Sequence, residues 1–155
     1  MSYLWKHPDK WKSWCDTENC PVCLNAPMPP EYVTIRETDD AWLEATPNVP
    51  LWGTCYVMSK KHVVEIFELS DTEALAFLKD IMSAAKALKE VTGAAKINYE
   101  IHGNTVPHLH IHLFPRYLEG DRFGDGIINP RNIQPSVYKE NEFESFVKEM
   151  RDALR

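Results

Sequence analysis

The chain has 155 residues, 44% of them hydrophobic, and a formal net charge of −6. That length and apolar content suit a single domain over 1–155 with one ordinary core, and the acidic balance argues against broad nucleic-acid or anionic-membrane binding. No apolar run approaches the ~20 residues of a membrane-spanning helix, and the charged, tryptophan-bearing start MSYLWKHPDKWKSWC does not read as a signal peptide, so a cytoplasmic location is expected.

Residues 1–30 are rich in tryptophan, cysteine and proline and read as an irregular arm. EYVTIRET (31–38) alternates and carries β-branched residues, as a strand does, and DAWLEA (40–45) is placed to pair with it. TPNVP (46–50) is a turn segment with two prolines, and WGTCYVMS (52–59) reads as another strand. Ser70-Asp71-Thr72-Glu73 has the form of a capping box. The helix it opens repeats Leu75, Leu78, Ile81, Met82, Ala85 and Leu88 at three- and four-residue spacing, an inward stripe, and Gly93 is its natural stop.

AKINYEIH (95–102) and HLHIHLF (108–114) read as two strands joined by GNTVP. Residues 118–136 form a long loop with Gly, Asn and Pro. ENEFESFVKEMRDAL (140–154) is a terminal helix with Phe143, Phe146, Val147, Met150 and Leu154 inward. Strands before and after one helix, with short links, imply an α+β fold: an antiparallel meander sheet with one main helix and a C-terminal helix.

Three of the six histidines, His108, His110 and His112, occupy alternate positions of one strand. Alternation sends Leu109, Ile111 and Leu113 to the core and the imidazoles to the opposite face. A merely polar sheet face is one reading. One metal held by all three is another, but a rise of about 3.3 Å per residue puts the Cα atoms of His108 and His112 roughly 13 Å apart, too far for bonds of about 2.0–2.1 Å without strain. No carboxylate lies between Gly103 and Tyr117 to assist a hydrolytic metal. The favoured reading divides the labour: a central neutral imidazole, His110, is a good nucleophile near pH 7. Its neighbours disfavour added positive charge on it. A phosphorus centre is an electrophile that suits it, giving a phosphoramidate intermediate.

HLHIHLF matches His-φ-His-φ-His-φ-φ, where φ is hydrophobic, and Pro115-Arg116 follows it. This resembles the histidine triad (HIT) superfamily of nucleotide hydrolases and transferases over about residues 20–117. The resemblance implies that His110 takes up a nucleoside monophosphate and that His112 contacts the phosphate or helps protonate the leaving oxygen. It implies that Asn104 and Thr105, short polar side chains beside the reactive strand, bind phosphate; Gly103-Asn104 would equally make a good turn. Asn98 is a further phosphate or ribose candidate. Glu44 stands where the family places an acidic residue on the ribose hydroxyls, usually Asp, and Trp42 or a nearby aromatic would pack on the base. The implied substrate is a purine nucleotide derivative, and the implied assembly is a homodimer with joined sheets.

Cys20-x-x-Cys23 has the spacing of half a tetrahedral zinc site. By resemblance to zinc-bearing members, His62 and His108 complete a closed, structural Cys₂His₂ set that holds Zn²⁺ and pins the arm to the triad strand. Cys15 is an alternative ligand, Cys55 a small core residue, and His7 and His102 are incidental. Two rival functions stand beside this one: a nucleotide-binding module without turnover, and a phosphohydrolase that uses zinc directly.

Overall fold

The computed structural model describes residues 7–24, 31–129, 131, 133 and 137–155. Helix α1 (Pro8–Trp14) opens them. Five strands follow, β1 (Val33–Glu37), β2 (Ala41–Ala45), β3 (Cys55–Ser59), β4 (Lys96–Glu100) and β5 (His110–Arg116). Helix α2 (Asp71–Thr92) lies between β3 and β4, and α3 (Glu142–Ala153) comes last. The strands form one antiparallel sheet in the order β1-β2-β3-β5-β4. Three strands meander; α2 then crosses over, and a hairpin returns with its second strand, β5, docked on β3. The α+β architecture expected from the sequence is present.

Helices α2 and α3 cover one face of the sheet. Leu43, Val57, Ile97, Ile111 and Leu113 point toward them and pack with Phe77, Ile81, Leu88, Phe146 and Met150. Ser70 caps α2 by accepting from the Glu73 amide, the Glu73 side chain returns the bond to the Ser70 amide, and Gly93 ends the helix at φ 66°.

Three local expectations are corrected. The arm is not wholly irregular: Pro8, with φ already helical and no N–H to leave unpaired, starts α1. Leu75, Leu78 and Met82 are exposed, at 54%, 48% and 61%, whereas Phe77, Ile81, Ala84, Ala85 and Leu88 are buried. Helix α2 carries two adjacent apolar stripes, both at helical spacing, and only one meets the sheet. Strand β5 begins at His110 rather than His108. The chain turns just before it, where the His108 amide bonds the Val106 carbonyl, and Leu109 pairs instead with Ser59 and Val63. Part of the 118–136 loop, at residues 130, 132 and 134–136, falls outside the described residues.

Candidate functional site

The histidine face of the sheet is set by register. Thr34 lies opposite Glu44, Glu44 opposite Tyr56, Tyr56 opposite His112, and His112 opposite Glu100. One row therefore crosses all five strands, and a parallel row runs Trp42, Met58, His110. Segments separated by up to 78 residues meet here because β5 pairs with both β3 and β4. Among the described residues the helices packed on the strands, α2 and α3, lie on the opposite face, and the loop after β5 reaches onto the far edge of this one. Arg116, 2% exposed, holds that loop through Asp121 at 2.7 Å and the carbonyls of Arg122 and Asp125, both at 2.7 Å. Buried, the guanidinium needs both kinds of partner: Asp121 balances its charge, and the two carbonyls accept from its remaining N–H groups.

His110 Nδ1 lies 2.7 Å from the His108 carbonyl oxygen. A carbonyl only accepts, so Nδ1 carries the proton and Nε2 keeps its lone pair. Burial, and then the nearby His102, hold His110 below the usual imidazole range against the opposing pull of that hydrogen bond. His112 is walled by four rings: Tyr56, His102 and His110 at 5.0 Å and Phe114 at 5.5 Å between centroids. Burial, then His110 and His102, push its pKa down to about 3. Both of its ring nitrogens are buried without a hydrogen-bond partner among the described residues, as is Glu44 Oε2. The other oxygen of Glu44 accepts from the Thr34 hydroxyl at 3.4 Å, and burial raises the Glu44 pKa.

The remaining sequence candidates are less convergent. Asn98 is on the histidine face but already engaged: Nδ2 donates to the Gly126 carbonyl and Oδ1 accepts from Lys96, each at 2.9 Å. Asn104 and Thr105 are exposed in the β4–β5 hairpin. Thr105 accepts from Arg131 at 2.6 Å, and Asn104 borders a cleft with Pro8, Trp11 and Lys12. Trp11 donates to the Gly103 carbonyl at 2.9 Å, so α1 buttresses this hairpin. Trp42 shares the His110 row, but the aromatics flanking Glu44 are Tyr56 and Tyr32, 5.9 Å apart. Sequence reading missed both tyrosines; only the β2–β3 register identifies Tyr56. It also set aside His102, which touches His112 and lies 3.0 Å from Glu100.

Beside the triad strand, Cys20, Cys23, His62 and His108 bring one donor atom each to within 4.8 Å of one another. His108 Nδ1 is 3.5 Å and 3.6 Å from the two sulfurs and 3.2 Å from His62 Nδ1, and His62 Nδ1 is 3.3 Å from Cys23. A tetrahedron with bonds of about 2.3 Å to sulfur and about 2.0–2.1 Å to nitrogen separates its corners by roughly 3.3–3.7 Å. Those four edges fit that shape. Each imidazole also donates its Nε2 proton to a carbonyl, His62 to Cys15 at 2.8 Å and His108 to Ser59 at 2.7 Å, which turns both Nδ1 atoms to the centre as metal-binding histidines require. Burial, then Cys20, push the Cys23 thiol up to about 11, so a cation must displace protons to bind. Cys15 lies outside the set, its sulfur on the Trp11 carbonyl, and Cys55 is buried in the core.

Comparison with known proteins agrees with this architecture. A family model described as the HIT domain matches residues 33–119. An uncharacterised HIT-like protein of Methanocaldococcus jannaschii is 30% identical over 116 residues, 68% of this chain and 88% of that protein. The protein Hit of Bacillus subtilis is 30% identical over 114 residues, 69% of this chain and 77% of that protein. Among solved structures, a histidine triad protein of Bradyrhizobium japonicum superposes with a TM-score of 0.70 at 20% identity, over 81% of this chain and 92% of its own. A zinc-bound histidine triad family protein of Mycobacterium smegmatis gives 0.62 at 19% identity, over 90% and 95%. At those identities the structures speak for the fold. The family match over more than half of the chain, with the archaeal and bacterial relatives, settles the membership: this chain belongs to the histidine triad family.

Proposed function

We propose that the protein is a nucleotide hydrolase or nucleotidyl transferase that acts on a purine nucleoside phosphate anhydride or phosphoramidate through a covalent adduct on His110. The observation that carries this is the set of buried polar atoms along one row of the sheet, Glu44 Oε2 and both nitrogens of His112, that have no partner among the described residues, beside a neutral His110. Buried polar atoms without partners are costly; a ligand that presents hydroxyls to Glu44 and a phosphate to His112 would satisfy them. Tyr32 and Tyr56 would flank the base, and Thr105, Asn104 and Asn98 would serve the phosphates or ribose.

In this reading His110 Nε2 attacks phosphorus, the bond to the leaving group breaks with its electrons on that group, and the ring becomes a phosphorylated imidazolium. Nδ1 keeps its proton, hydrogen-bonded to the His108 carbonyl, throughout, and that bond spreads the new charge. His112 contacts the phosphate or helps protonate the leaving oxygen. An acceptor, water in a hydrolase, then displaces His110 and restores the neutral ring.

Cys20, Cys23, His62 and His108 would hold a structural Zn²⁺. Four protein donors close a tetrahedral shell, so the ion would supply rigidity, fixing His108 and through its carbonyl the tautomer of His110. The protein would act as a homodimer. The exposed stripe Leu75, Leu78 and Met82 lies on α2, which packs on the edge strand β4, where Tyr99 and neighbouring Ile101 are also exposed. Such apolar surface on adjoining elements suits a self-complementary interface. Light scattering should give twice the chain mass, and Leu78→Glu with Met82→Glu should halve it; a wild-type monomer at micromolar concentration counts against the dimer.

The central test is a single turnover of diadenosine tetraphosphate followed by intact mass. Wild type should transiently gain one adenylyl group and His110→Asn should not. Undiminished turnover by a folded His110→Asn protein would refute the reading.

A further inference from the structure

His102 is the fourth histidine of this face, and neither the triad pattern nor the nucleophile's chemistry uses it. It follows β4 by two residues, at the mouth of the β4–β5 hairpin. Its ring stands edge-on to His112 at 88° and 5.0 Å. Its Nε2 lies 3.0 Å from Glu100 Oε2, and the Glu100 side chain is itself fixed, because Oε1 accepts from the Ile128 amide at 3.0 Å. A carboxylate that holds one imidazole nitrogen sets the tautomer: Nε2 carries the proton and Nδ1 presents a lone pair. This is the carboxylate–imidazole pairing that orients general bases.

Clearing a His110 adduct with water requires a base, because water must lose a proton as it bonds to phosphorus. The other three imidazoles are poorly placed to take it. His110 Nε2 is bonded to phosphorus at that stage. His108, 1% exposed, has Nε2 on the Ser59 carbonyl and Nδ1 in the cysteine cluster. His112, already engaged with the phosphate or the leaving oxygen, is 6% exposed and enclosed by rings, so bulk water does not reach it. The His102 side chain is 31% exposed, so water reaches it while it touches the reactive row.

We propose that His102, oriented by Glu100, is the general base that activates the water which hydrolyses the His110 adduct. The step balances: the water oxygen bonds to phosphorus, the phosphorus–Nε2 bond breaks and returns its electron pair to His110, and one water proton passes to His102 Nδ1 and then to solvent. The product is the nucleoside monophosphate. This assignment rests on the covalent reading proposed above.

The test separates the two half-reactions in the full-length, metal-loaded protein, with whichever of diadenosine tetraphosphate and adenosine 5′-phosphoramidate the wild type turns over. His102→Gln should form the adduct at the wild-type rate and hydrolyse it about 10²–10³-fold more slowly, within the usual reach of general-base catalysis, so that adenylylated protein accumulates in intact-mass spectra. Glu100→Gln should accumulate it to a lesser degree. Fluoride, a nucleophile with no proton to lose, should discharge the adduct from His102→Gln as fast as from wild type. A structural defect would not produce that contrast. Equal slowing of both half-reactions, or no accumulation in His102→Gln, overturns the role of His102 while leaving the His110 adduct standing. Turnover by wild type with no adduct, even when quenched early, overturns the covalent reading and this assignment with it.

Discussion

His112 shows how a single side chain is shaped by its surroundings. Its folded pKa of about 3 lies well below the unfolded value of about 6.5. Between those limits the unfolded chain binds the proton and the folded chain does not, so falling pH favours unfolding. The stability His112 carries above pH 6.5 is lost as the pH drops toward 3, at up to about 1.4 kcal/mol per pH unit. His110, also shifted down, adds to the same slope. His112→Phe keeps a ring among the ring neighbours and removes the proton. Urea unfolding at pH 4.5, 5.5 and 6.5 should therefore show a shallower slope for that variant than for wild type. The triad residues were legible in the sequence because strand alternation is local. Glu44 was legible only through resemblance. Tyr56 was not, because nothing in CYVMS says which residue of another strand it will face.

At the scale of elements, the approach to β3 depends on one backbone conformation. Gly53 has φ +84°, and a Cβ there would meet Thr92 Cγ2 at 2.7 Å and Pro115 Cγ at 3.2 Å. Its amide donates to the Tyr138 hydroxyl at 2.9 Å. The end of α2, the end of β5 and the segment before α3 therefore converge on a site that excludes a side chain. Gly53→Ala should destabilise the protein by at least about 1–3 kcal/mol, the usual cost of a non-glycine residue in that backbone region, read as a lower urea midpoint; an unchanged midpoint would show that the neighbours yield without penalty. The capping box and Gly93 stop of α2 could be read directly, since both depend on residues within one turn. Which apolar stripe of α2 faces inward could not, because Leu75-Leu78-Met82 and Phe77-Ile81-Leu88 satisfy the same period.

For the molecule as a whole, the Cys20–Cys23–His62–His108 cluster joins an arm at residue 20 to a strand at residue 108. A metal that binds only the folded arrangement stabilises it by mass action. The protein should carry about one zinc per chain by elemental analysis, which tests a single four-donor site. Chelation should lower the melting temperature before it lowers activity at moderate temperature. Immediate loss of activity with an unchanged melting curve would instead favour the ion in the chemistry. Cys23→Ser should lose the metal and reproduce the chelated protein. Since α1 leads into this cluster and its Trp11 bonds Gly103, the arm also ties the cysteine–histidine cluster to the hairpin before the triad.

By itself the sequence determined whatever depends on near neighbours along the chain: the two-faced β5 with its imidazoles on one side, the capped α2, the inward stripe of α3 and the Cys-x-x-Cys half of a metal site. These follow from the two-residue period of strands, the 3.6-residue period of helices and short-range hydrogen bonding. The tertiary structure alone decided the row from Glu44 through Tyr56 and His112 to Glu100, the seating of His102 on Glu100, the stripe of α2 left exposed, and the placement of the loop pinned by Arg116. Each of these is a matter of register or docking between segments far apart in sequence, where the energy comes from the packing of the whole sheet against its helices and no local period carries the information.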